Sequence, residues 1–203
     1  MKRKQAGFTL IEVLVAITLM ALVSIMAWRG LENVSSQQRR LSADADENDA
    51  IIRMLGQLER DFAQRAPNAL LAIPTTTPET TLLPQSVLVS TTGQPDSSAT
   101  IELIRSDAAN PGAWQRVVWF QDGNVLRRAA GQSATQYPLP PAGRGADILG
   151  SVQRFSVRGW VPGQGWIPTP FPTTGVPFGG LELTVTRLGS DGQERYSRVV
   201  VLD

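Results

Sequence analysis

One acidic residue lies inside a long apolar stretch near the start of the chain. From Phe8 to Trp28 there are 21 residues, and Glu12 is the single charged side chain among them. Placing a carboxylate in an apolar helix costs about 2.5–3.5 kcal/mol on insertion scales, so an acid in such a position marks a function. The chemistry that it offers is that of a desolvated anion, which is stable only beside a cation.

Few other residues have the types and spacing that chemistry requires. The 203 residues include no histidine and no cysteine, which excludes a Ser-His-Asp triad, a cysteine nucleophile and the usual zinc sites. Asp44 and Asp46 diverge on a helix, which indicates a solvated face and not a calcium site. The acids of the second half are scattered without a paired spacing: Glu102, Asp107, Asp122 and Glu182. We therefore expect no enzyme, no metal and no cofactor, and the net charge of +1 gives no nucleic-acid footprint.

The elements that must position Glu12 fall into two halves. All 14 prolines lie at residue 67 or later, and so do 15 of the 18 glycines. Because proline costs about 3 kcal/mol inside a helix, residues 1–66 predict a long helix after a short polar head. Residues 67–203 predict short strands and loops, so the predicted fold class is α+β.

The apolar stretch predicts a membrane span. At about 1.5 Å per residue, residues 8–28 reach roughly 30 Å, the thickness of a bilayer core. Lys2, Arg3 and Lys4 precede it, which predicts that the N-terminus stays in the cytoplasm. A cleaved secretory signal is disfavoured because the run is long and lacks an A-x-A-like site at its far end. A plain signal anchor would explain everything except Glu12.

The residues around Glu12 resemble a known processing signal. The string from Gly7 to Leu14, GFTLIEVL, resembles the type III signal of type IV pilins and pseudopilins. This resemblance implies that a prepilin peptidase removes a 1–7 leader by cutting between Gly7 and Phe8, and that Phe8 is then N-methylated. It also implies an assembly contact in which Glu12 of one subunit meets the Phe8 amine of the next.

Residues 29–66 predict an amphipathic stem that continues the helix. Its apolar residues fall mostly at three- or four-residue spacing: Leu41, Ala45, Ile52, Leu55, Leu58 and Phe62. We expect the stripe of Ile51, Leu55, Leu58 and Phe62 to pack on the protein's own sheet, and a groove for a partner helix is the alternative. Pro67 disfavours helical geometry at its predecessor, so we expect the helix to end near Ala66.

Residues 67–203 predict a β-rich globular domain that begins with a Pro- and Thr-rich connector at 67–84. Alternating apolar residues predict strands over 86–90, 100–105, 115–120, 125–128, 151–161, 181–185 and 195–202. Residues 121–124 (QDGN) predict a hairpin turn because Gly and Asn tolerate positive φ, and residues 189–192 predict another. We expect the Pro- and aromatic-rich segment 162–177 to cover the apolar face of the sheet; an exposed contact surface is the alternative.

Segments along most of the chain resemble one branch of the pilin-like superfamily. Residues 58–64 (LERDFAQ) resemble the L-E-R-D-[LF]-x-Q segment of the J-type minor pseudopilins of type II secretion, the GspJ family. Further similarities to that family follow in the same order at 101–105, Asn110-Pro111, 115–120, 126–128, Val152, Phe155, Trp160, Trp166 and 181–185.

This resemblance implies a non-enzymatic protein whose long N-terminal helix packs on mainly antiparallel sheets. Its implied location is the bacterial inner membrane, with one span and the C-terminal domain in the periplasm. Its implied partners are the I-, K- and H-type minor pseudopilins, the major pseudopilin and the prepilin peptidase. That hetero-oligomer would cap the pseudopilus and start its assembly for export across the outer membrane. The alternatives are a minor pilin of a type IV pilus or competence system, and a signal-anchored periplasmic binding module or carboxylate-only enzyme.

Overall fold

The computed structural model describes residues 9–67, 83–91, 98–172, 175–189 and 192–202. In these residues one α-helix is followed by nine β-strands, which confirms the predicted α+β class. The chain divides into two compact units, Met1–Asn48 and Asp49–Asp203. Where it is described, the first unit is the N-terminal part of the helix. The second contains the remaining helical turns and all the strands.

Helix α1 is Leu10–Ala63 and ends three residues before the predicted end at Ala66. The reason is that the backbone beyond it pairs with a strand. The N–H of Ala66 donates to the carbonyl of Ile104 at 2.8 Å, and the N–H of Ser106 donates to the carbonyl of Gln64 at 2.9 Å. These bonds and the bridge between Arg65 and Arg105 pair residues 64–66 with the sheet, so the backbone leaves the helical path before Pro67.

The first sheet is an antiparallel meander whose five strands are neighbours in chain order. Its strands are β1 Val87–Thr91, β2 Ala99–Ser106, β3 Trp114–Asp122, β4 Val125–Ala130 and β5 Ala146–Leu149. Four of the five were predicted from alternation, and β5 was not. The predicted hairpin joins β3 to β4, where Asp122 pairs with Val125. Gly123 alone of the two turn residues has positive φ, at 59°, which is the geometry that glycine at the first turn position favours.

The second sheet is antiparallel, in the order β7-β6-β8-β9. Its strands are β6 Val152–Val161, β7 Gly165–Pro168, β8 Gly180–Gly189 and β9 Gly192–Val201. The predicted C-terminal hairpin of β8 and β9 is confirmed by ten paired positions, although residues 190 and 191 of its turn lie outside the described residues.

The segment 162–177 differs from the predicted loop because it contains β7, which pairs with β6. Ile167 and Phe171 pack against the core, as expected of a cover, and the Phe171 ring meets Phe178 edge-on at 4.6 Å between centroids. Trp160, by contrast, is 40% exposed. Residues 173 and 174 lie outside the described residues, as do residues 68–82 of the predicted connector.

The core of the second unit joins α1 to the inward faces of both sheets. The helix contributes Ile51, Met54, Leu58 and Phe62, all buried, which confirms that this face packs on the protein's own sheets. Leu55 is half-buried at its edge. Leu41 and Ile52, which share the three- or four-residue spacing of the stem, are exposed. The strands contribute alternate residues: Ile101, Leu103, Val117, Trp119, Leu126, Phe155, Val157, Leu181, Leu183 and Val185.

Candidate functional site: the first turn and the last turn of α1

Glu12 lies in the first turn of α1. Its N–H and that of Val13 donate to the carbonyl of Thr9, at 3.1 and 3.4 Å, which begins the helix. Its side chain is exposed, and no described residue donates a hydrogen bond to the carboxylate. Gly7 and Phe8, the predicted cleavage and methylation positions, lie outside the described residues. The predicted contact between Glu12 and the Phe8 amine therefore stays a prediction.

Other polar side chains of this segment are satisfied within the helix. The Thr18 hydroxyl donates to the carbonyl of Leu14, and the Ser24 hydroxyl donates to the carbonyl of Met20, both at 2.8 Å. Such bonds make hydroxyls tolerable in a bilayer, where no water can replace them. An ionised carboxylate has no proton to donate to a carbonyl, so in that form Glu12 differs from these hydroxyls.

The helix that carries Glu12 has the properties of a membrane span. Among the described residues one helix, α1, is long and apolar enough to cross a membrane. Its most apolar stretch of 18 residues has a mean hydropathy of 2.5 and contains no buried residue. An apolar helix that is exposed on all sides is stable only in lipid or against other helices.

The last turn of α1 carries a buried carboxylate, that of Asp61, which has no exposed surface. Arg128 donates two hydrogen bonds, from Nε to Oδ2 at 2.7 Å and from Nη2 to Oδ1 at 2.8 Å. Arg105 Nη1 donates to Oδ1 at 2.6 Å, and Trp119 Nε1 donates to Oδ2 at 2.8 Å. Gln57 Nε2, one turn earlier on the helix, donates to Oδ1 at 3.0 Å. We call Asp61 and these four donors the Asp61 clamp.

The clamp attaches the helix to three neighbouring strands. Arg105 is on β2, Trp119 on β3 and Arg128 on β4, and the last two are directly opposite in the strand register. Paired charges with several hydrogen bonds can be buried because every lone pair of the anion finds a donor. The clamp therefore sets the position of the helix on the first sheet.

The clamp keeps Asp61 ionised. Burial raises the pKa of this carboxyl, because it disfavours the charged form. The hydrogen bonds and positive charge of Arg128, with the Trp119 bond and the charge of Arg105, outweigh burial and hold the pKa below its ordinary value. An anion that stays charged and fully bonded in the interior acts as a structural link; it has no access to a substrate.

An exposed ion pair links the helix to the second sheet. Glu59 on α1 pairs with Arg198 on β9, and both side chains are about half exposed. Exposed pairs of this kind contribute little stability, typically below about 1 kcal/mol. The buried clamp is therefore the stronger of the two links between α1 and the sheets.

Sequence reasoning singled out residues 58–64 only by resemblance and gave Asp61 no role. The sequences of two strands nevertheless contained a sign of the buried anion. Arg105 follows Ile101 and Leu103 in the inward phase of β2, and Arg128 follows Leu126 in the inward phase of β4. Two inward cations on nearby strands require a buried anion, since charges are rarely buried unpaired.

The scattered acids of the sheets are not brought together. Glu102 pairs with Arg116 at 3.2 Å, Asp122 with Arg127 at 3.0 Å, and Glu182 with Arg158. Asp107 accepts a hydrogen bond from Asn110 at 2.7 Å. In the described part of the chain, no group of three or more acids, histidines or cysteines could hold a metal ion.

Two family models match the chain. Residues 2–28 match the prokaryotic N-terminal methylation motif, and residues 29–200 match type II secretion system (T2SS), protein J. The chain belongs to the protein J family of the type II secretion system. A chain in the crystal structure of the GspK-GspI-GspJ complex from enterotoxigenic Escherichia coli is similar at 12% sequence identity. That alignment has a TM-score of 0.48 and covers 77% of this chain and 97% of the other.

Membership of the protein J family confirms the resemblance predicted from residues 58–64 and the strands. The chain is a minor pseudopilin of the type II secretion system, a structural component of that machine. The match favours type II secretion over the alternative of a type IV pilus or competence system. The apolar N-terminal part of α1, which falls within the methylation motif, fits a single-pass membrane anchor.

Proposed function

We propose that this protein J acts in the tip complex that starts pseudopilus assembly, with the I-, K- and H-type minor pseudopilins. The single observation that carries the proposal is the carboxylate of Glu12, exposed on an apolar helix without a donor in the described residues. Because an unpaired carboxylate is costly in lipid, we infer that another subunit supplies the cation for Glu12. The E. coli structure, a complex of GspK, GspI and GspJ, gives the choice of I- and K-type partners.

The first step of this function is processing. A prepilin peptidase cuts between Gly7 and Phe8 and the new amine of Phe8 is methylated, which agrees with the match of residues 2–28 to the methylation motif. Cleavage removes the three cations Lys2, Arg3 and Lys4 and creates one new cation at the tip of the helix. The product is an apolar helix with an ammonium group four residues before a carboxylate.

The second step is registration between subunits. The ammonium of Phe8 in one subunit pairs with Glu12 of its neighbour, so adjacent helices are offset by four residues, roughly 6 Å at 1.5 Å per residue. In lipid this pair satisfies two charges that would each be costly alone. The major pseudopilin, which carries on the fibre, would join by the same kind of contact.

The β-rich unit acts in the periplasm and has no catalytic role. The cationic residues 2–4 before the span favour a cytoplasmic N-terminus and a translocated C-terminal part. The Asp61 clamp and the buried helix face hold both sheets on the last turns of α1. The unit presents its side surfaces to neighbouring subunits.

Two measurements test the proposal. Mass spectrometry of the chain purified from membranes should find an N-terminal methylated Phe8, and an intact Met1 start would contradict a pseudopilin mechanism. Co-purification of the tagged full chain with co-expressed I- and K-type pseudopilins should recover both. Recovery with type IV pilus or competence subunits in place of I and K would support the alternative filament.

A further inference from the structure

Among the described strands, β9 forms the longest free edge of a sheet. The outermost strands β1, β5, β7 and β9 contain five, four, four and ten residues. Natural sheets keep their edges short or interrupt them with charges or proline, because the free N–H and C=O groups of a long edge pair with other chains. β7, for example, is short and ends at Pro168. The last three residues of β9, Val199–Val201, have no such protection.

The register of β9 shows which of its backbone groups are free. The N–H of Leu202, directly after β9, donates to the carbonyl of Gly179 at 3.1 Å, and β9 pairs with β8 without a register shift. Since alternate residues of an antiparallel strand bond to one neighbour, the even-numbered residues of β9 bond to β8. The odd-numbered residues therefore direct their N–H and C=O groups to the free edge. All of them are exposed: Gln193, Arg195, Ser197, Val199 and Val201.

The side chains of these odd-numbered residues lie on the outer face of the second sheet, and those at the C-terminal end are apolar. Val199 and Val201 are 52 and 62% exposed. Val201 pairs with Gly180 of β8. Gly180 pairs with Trp160 of β6, and Trp160 pairs with Trp166 of β7. A row across all four strands thus ends in an apolar side chain at the free edge, where a further strand could extend it.

The N-terminal half of the same edge is basic. Arg195 lies on the outer face opposite Thr186, and among the described residues no acid forms an ion pair with it. Arg198 pairs with Glu59 of α1, so its charge belongs to the inner face of the sheet. Arg195 precedes Val199 by four residues, roughly 13 Å along a strand. The edge therefore suits a segment that has apolar residues at one end and an acid at the other.

We propose that Arg195–Val201, at the free edge of β9, is a docking surface where an extended segment of a neighbouring minor pseudopilin adds to the second sheet as a fifth, antiparallel strand. The segment has alternate apolar residues that face Val199 and Val201, and an aspartate or glutamate that faces Arg195. Main-chain hydrogen bonds give such a contact its affinity, and the facing side chains give it specificity. The inference rests on the proposed function and specifies it, because it names the surface and the chemistry of the partner.

A second copy of this chain does not have that chemistry. In an antiparallel pair of β9 strands, the odd-numbered residues of the two copies would face each other, because those residues have the free backbone groups. None of these residues is acidic, so each Arg195 would face a neutral residue or another arginine. Like charges directly opposite each other destabilise a strand pair. A different subunit therefore fits the edge better than a second copy.

Photo-crosslinking tests the surface directly, because the chain contains no cysteine and one introduced thiol is unique. The full chain with Val201→Cys at the edge, or Arg144→Cys in the exposed loop before β5, is co-purified with I- and K-type pseudopilins and labelled with a benzophenone maleimide. We expect at least about threefold more crosslinked partner from Val201→Cys, since a docked strand lies about 5 Å from its neighbour. The crosslinked peptide should contain an acid roughly six residues from the attachment point, where it faces Arg195.

Proline at the edge tests whether main chains pair. Val199→Pro removes an N–H that points away from β8, so it breaks no hydrogen bond of the sheet itself. Val199→Thr keeps that N–H and the strand propensity. In the Val201→Cys chain, we expect the proline to lower the crosslink about fivefold, the effect of one lost hydrogen bond, and the threonine to lower it less than about twofold. Equal yields from the two variants would overturn strand addition.

Charge reversal tests the acid of the partner. Arg195→Glu should lower the Val201→Cys crosslink by about threefold, the effect of one contact between like charges. Arg144→Glu makes the same change of charge away from the edge and should leave the yield unchanged. Equal yields from these two variants would overturn the assignment of an acidic residue in the docked segment.

The outcomes separate this inference from the function on which it rests. If the unmodified chain recovers I- and K-type pseudopilins but Val201→Cys and Arg144→Cys crosslink equally, the edge of β9 is not the surface and the tip-complex proposal stands. If Val201→Cys crosslinks mainly to a second copy, the assigned occupant is wrong. If the unmodified chain recovers neither pseudopilin, both proposals fail.

Discussion

Arg128 on β4 holds the carboxylate of Asp61 on α1 with two hydrogen bonds, at 2.7 and 2.8 Å, across 67 residues of sequence. Arg105 on β2 and Trp119 on β3 donate hydrogen bonds to the same carboxylate. One buried anion thus joins the end of the helix to three strands at once. Apolar packing gives the helix its affinity for the sheets, and the clamp selects one position among those that packing alone would allow.

Asp61→Asn should strongly destabilise the β-rich unit. The amide keeps the shape of the side chain but leaves the guanidinium groups of Arg105 and Arg128 buried without an anion. Removing one partner of a buried ion pair typically costs about 3–5 kcal/mol, because the remaining charge stays desolvated. Urea unfolding of the full chain in detergent, followed by tryptophan fluorescence, measures the change in free energy.

The control for this variant is Glu59→Gln, which breaks the exposed pair with Arg198 on the same helix. Because solvent screens that pair, its loss should cost less than about 1 kcal/mol. Similar losses for the two variants would show that burial does not distinguish the two links.

Asp61 also determines how stability depends on pH. Burial raises the pKa of Asp61, but Arg128, Trp119 and Arg105 together lower it by more than burial raises it. The folded-state pKa therefore lies below the ordinary value of 3.8. Between the folded-state pKa and the unfolded-state pKa, the unfolded chain therefore binds more protons than the folded chain. The stabilising effect of the Asp61 carboxylate is complete above the unfolded-state pKa. That stability is lost as the pH falls from about 4 through the folded-state pKa.

The free energy of unfolding measured between pH 6 and pH 3 (roughly the carboxyl titration range) should therefore fall more steeply for the wild type than for Asp61→Asn. Asp107 acts in the same direction, since the hydrogen bond from Asn110 is the main cause of its lowered pKa. Asp107→Asn is accordingly the matched variant. It should retain most of the wild-type slope because Asp107 lies at the surface. Parallel slopes for the wild type and Asp61→Asn would contradict the clamp.

The elements that have a local sequence signal were predictable from the sequence. The proline-free first 66 residues predicted the helix, and alternation predicted seven of the nine strands. The two strands that were missed, β5 and β7, are four residues long and have no clear alternation. These two strands are held by pairing with a longer neighbouring strand. In β7, for example, Trp166 pairs with Trp160 of β6. A strand as short as β5 or β7 forms because its backbone pairs with the edge strand of a sheet, β4 or β6, and not because of its own sequence.

Features that depend on distant residues could not be predicted. The strand partners of Asp61 lie 44, 58 and 67 residues away. The inward cations of β2 and β4 indicate that a buried anion is needed, but no local pattern shows which acid it is. Periodicity did predict the helix face that contains Ile51, Leu58 and Phe62, but it also counted Ile52 among the apolar residues of one side. Ile51 is buried and the adjacent Ile52 is exposed, because the sheets pack on one side of the helix.

Gly159→Ala should destabilise the second sheet by overpacking. A methyl group at this position of β6 would lie 2.8 Å from three carbons of the buried Phe178 ring. An extra methyl in a close-packed core typically costs about 1–3 kcal/mol. Thermal unfolding of the variant measures the loss, and Gly150→Ala, where nothing lies within 4 Å of the added carbon, is the control.

The double variant Gly159→Ala with Phe178→Leu tests the cause. The smaller side chain makes room for the methyl group, so the two changes together should cost less than the sum of the single changes. Additive losses would mean that the glycine is needed for some other reason.

The Glu12→Ala variant should be inserted into the membrane and cleaved, but it should not assemble normally with its neighbours. Removing the carboxylate makes the span more apolar, so insertion becomes easier, while the Phe8 ammonium of a neighbour loses its counter-charge. A counter-charge contact worth about 1.4 kcal/mol or more corresponds to at least about a tenfold loss of affinity between subunits, so in a strain that lacks the wild-type chain we expect a large fall in secretion of substrate. Thr18→Val is the matched control: its hydroxyl is satisfied by Leu14 of its own helix, so removing it should leave secretion unchanged. Normal secretion by Glu12→Ala would show that the acid has no part in assembly, and a methylated Phe8 in that variant would confirm that processing precedes the defect.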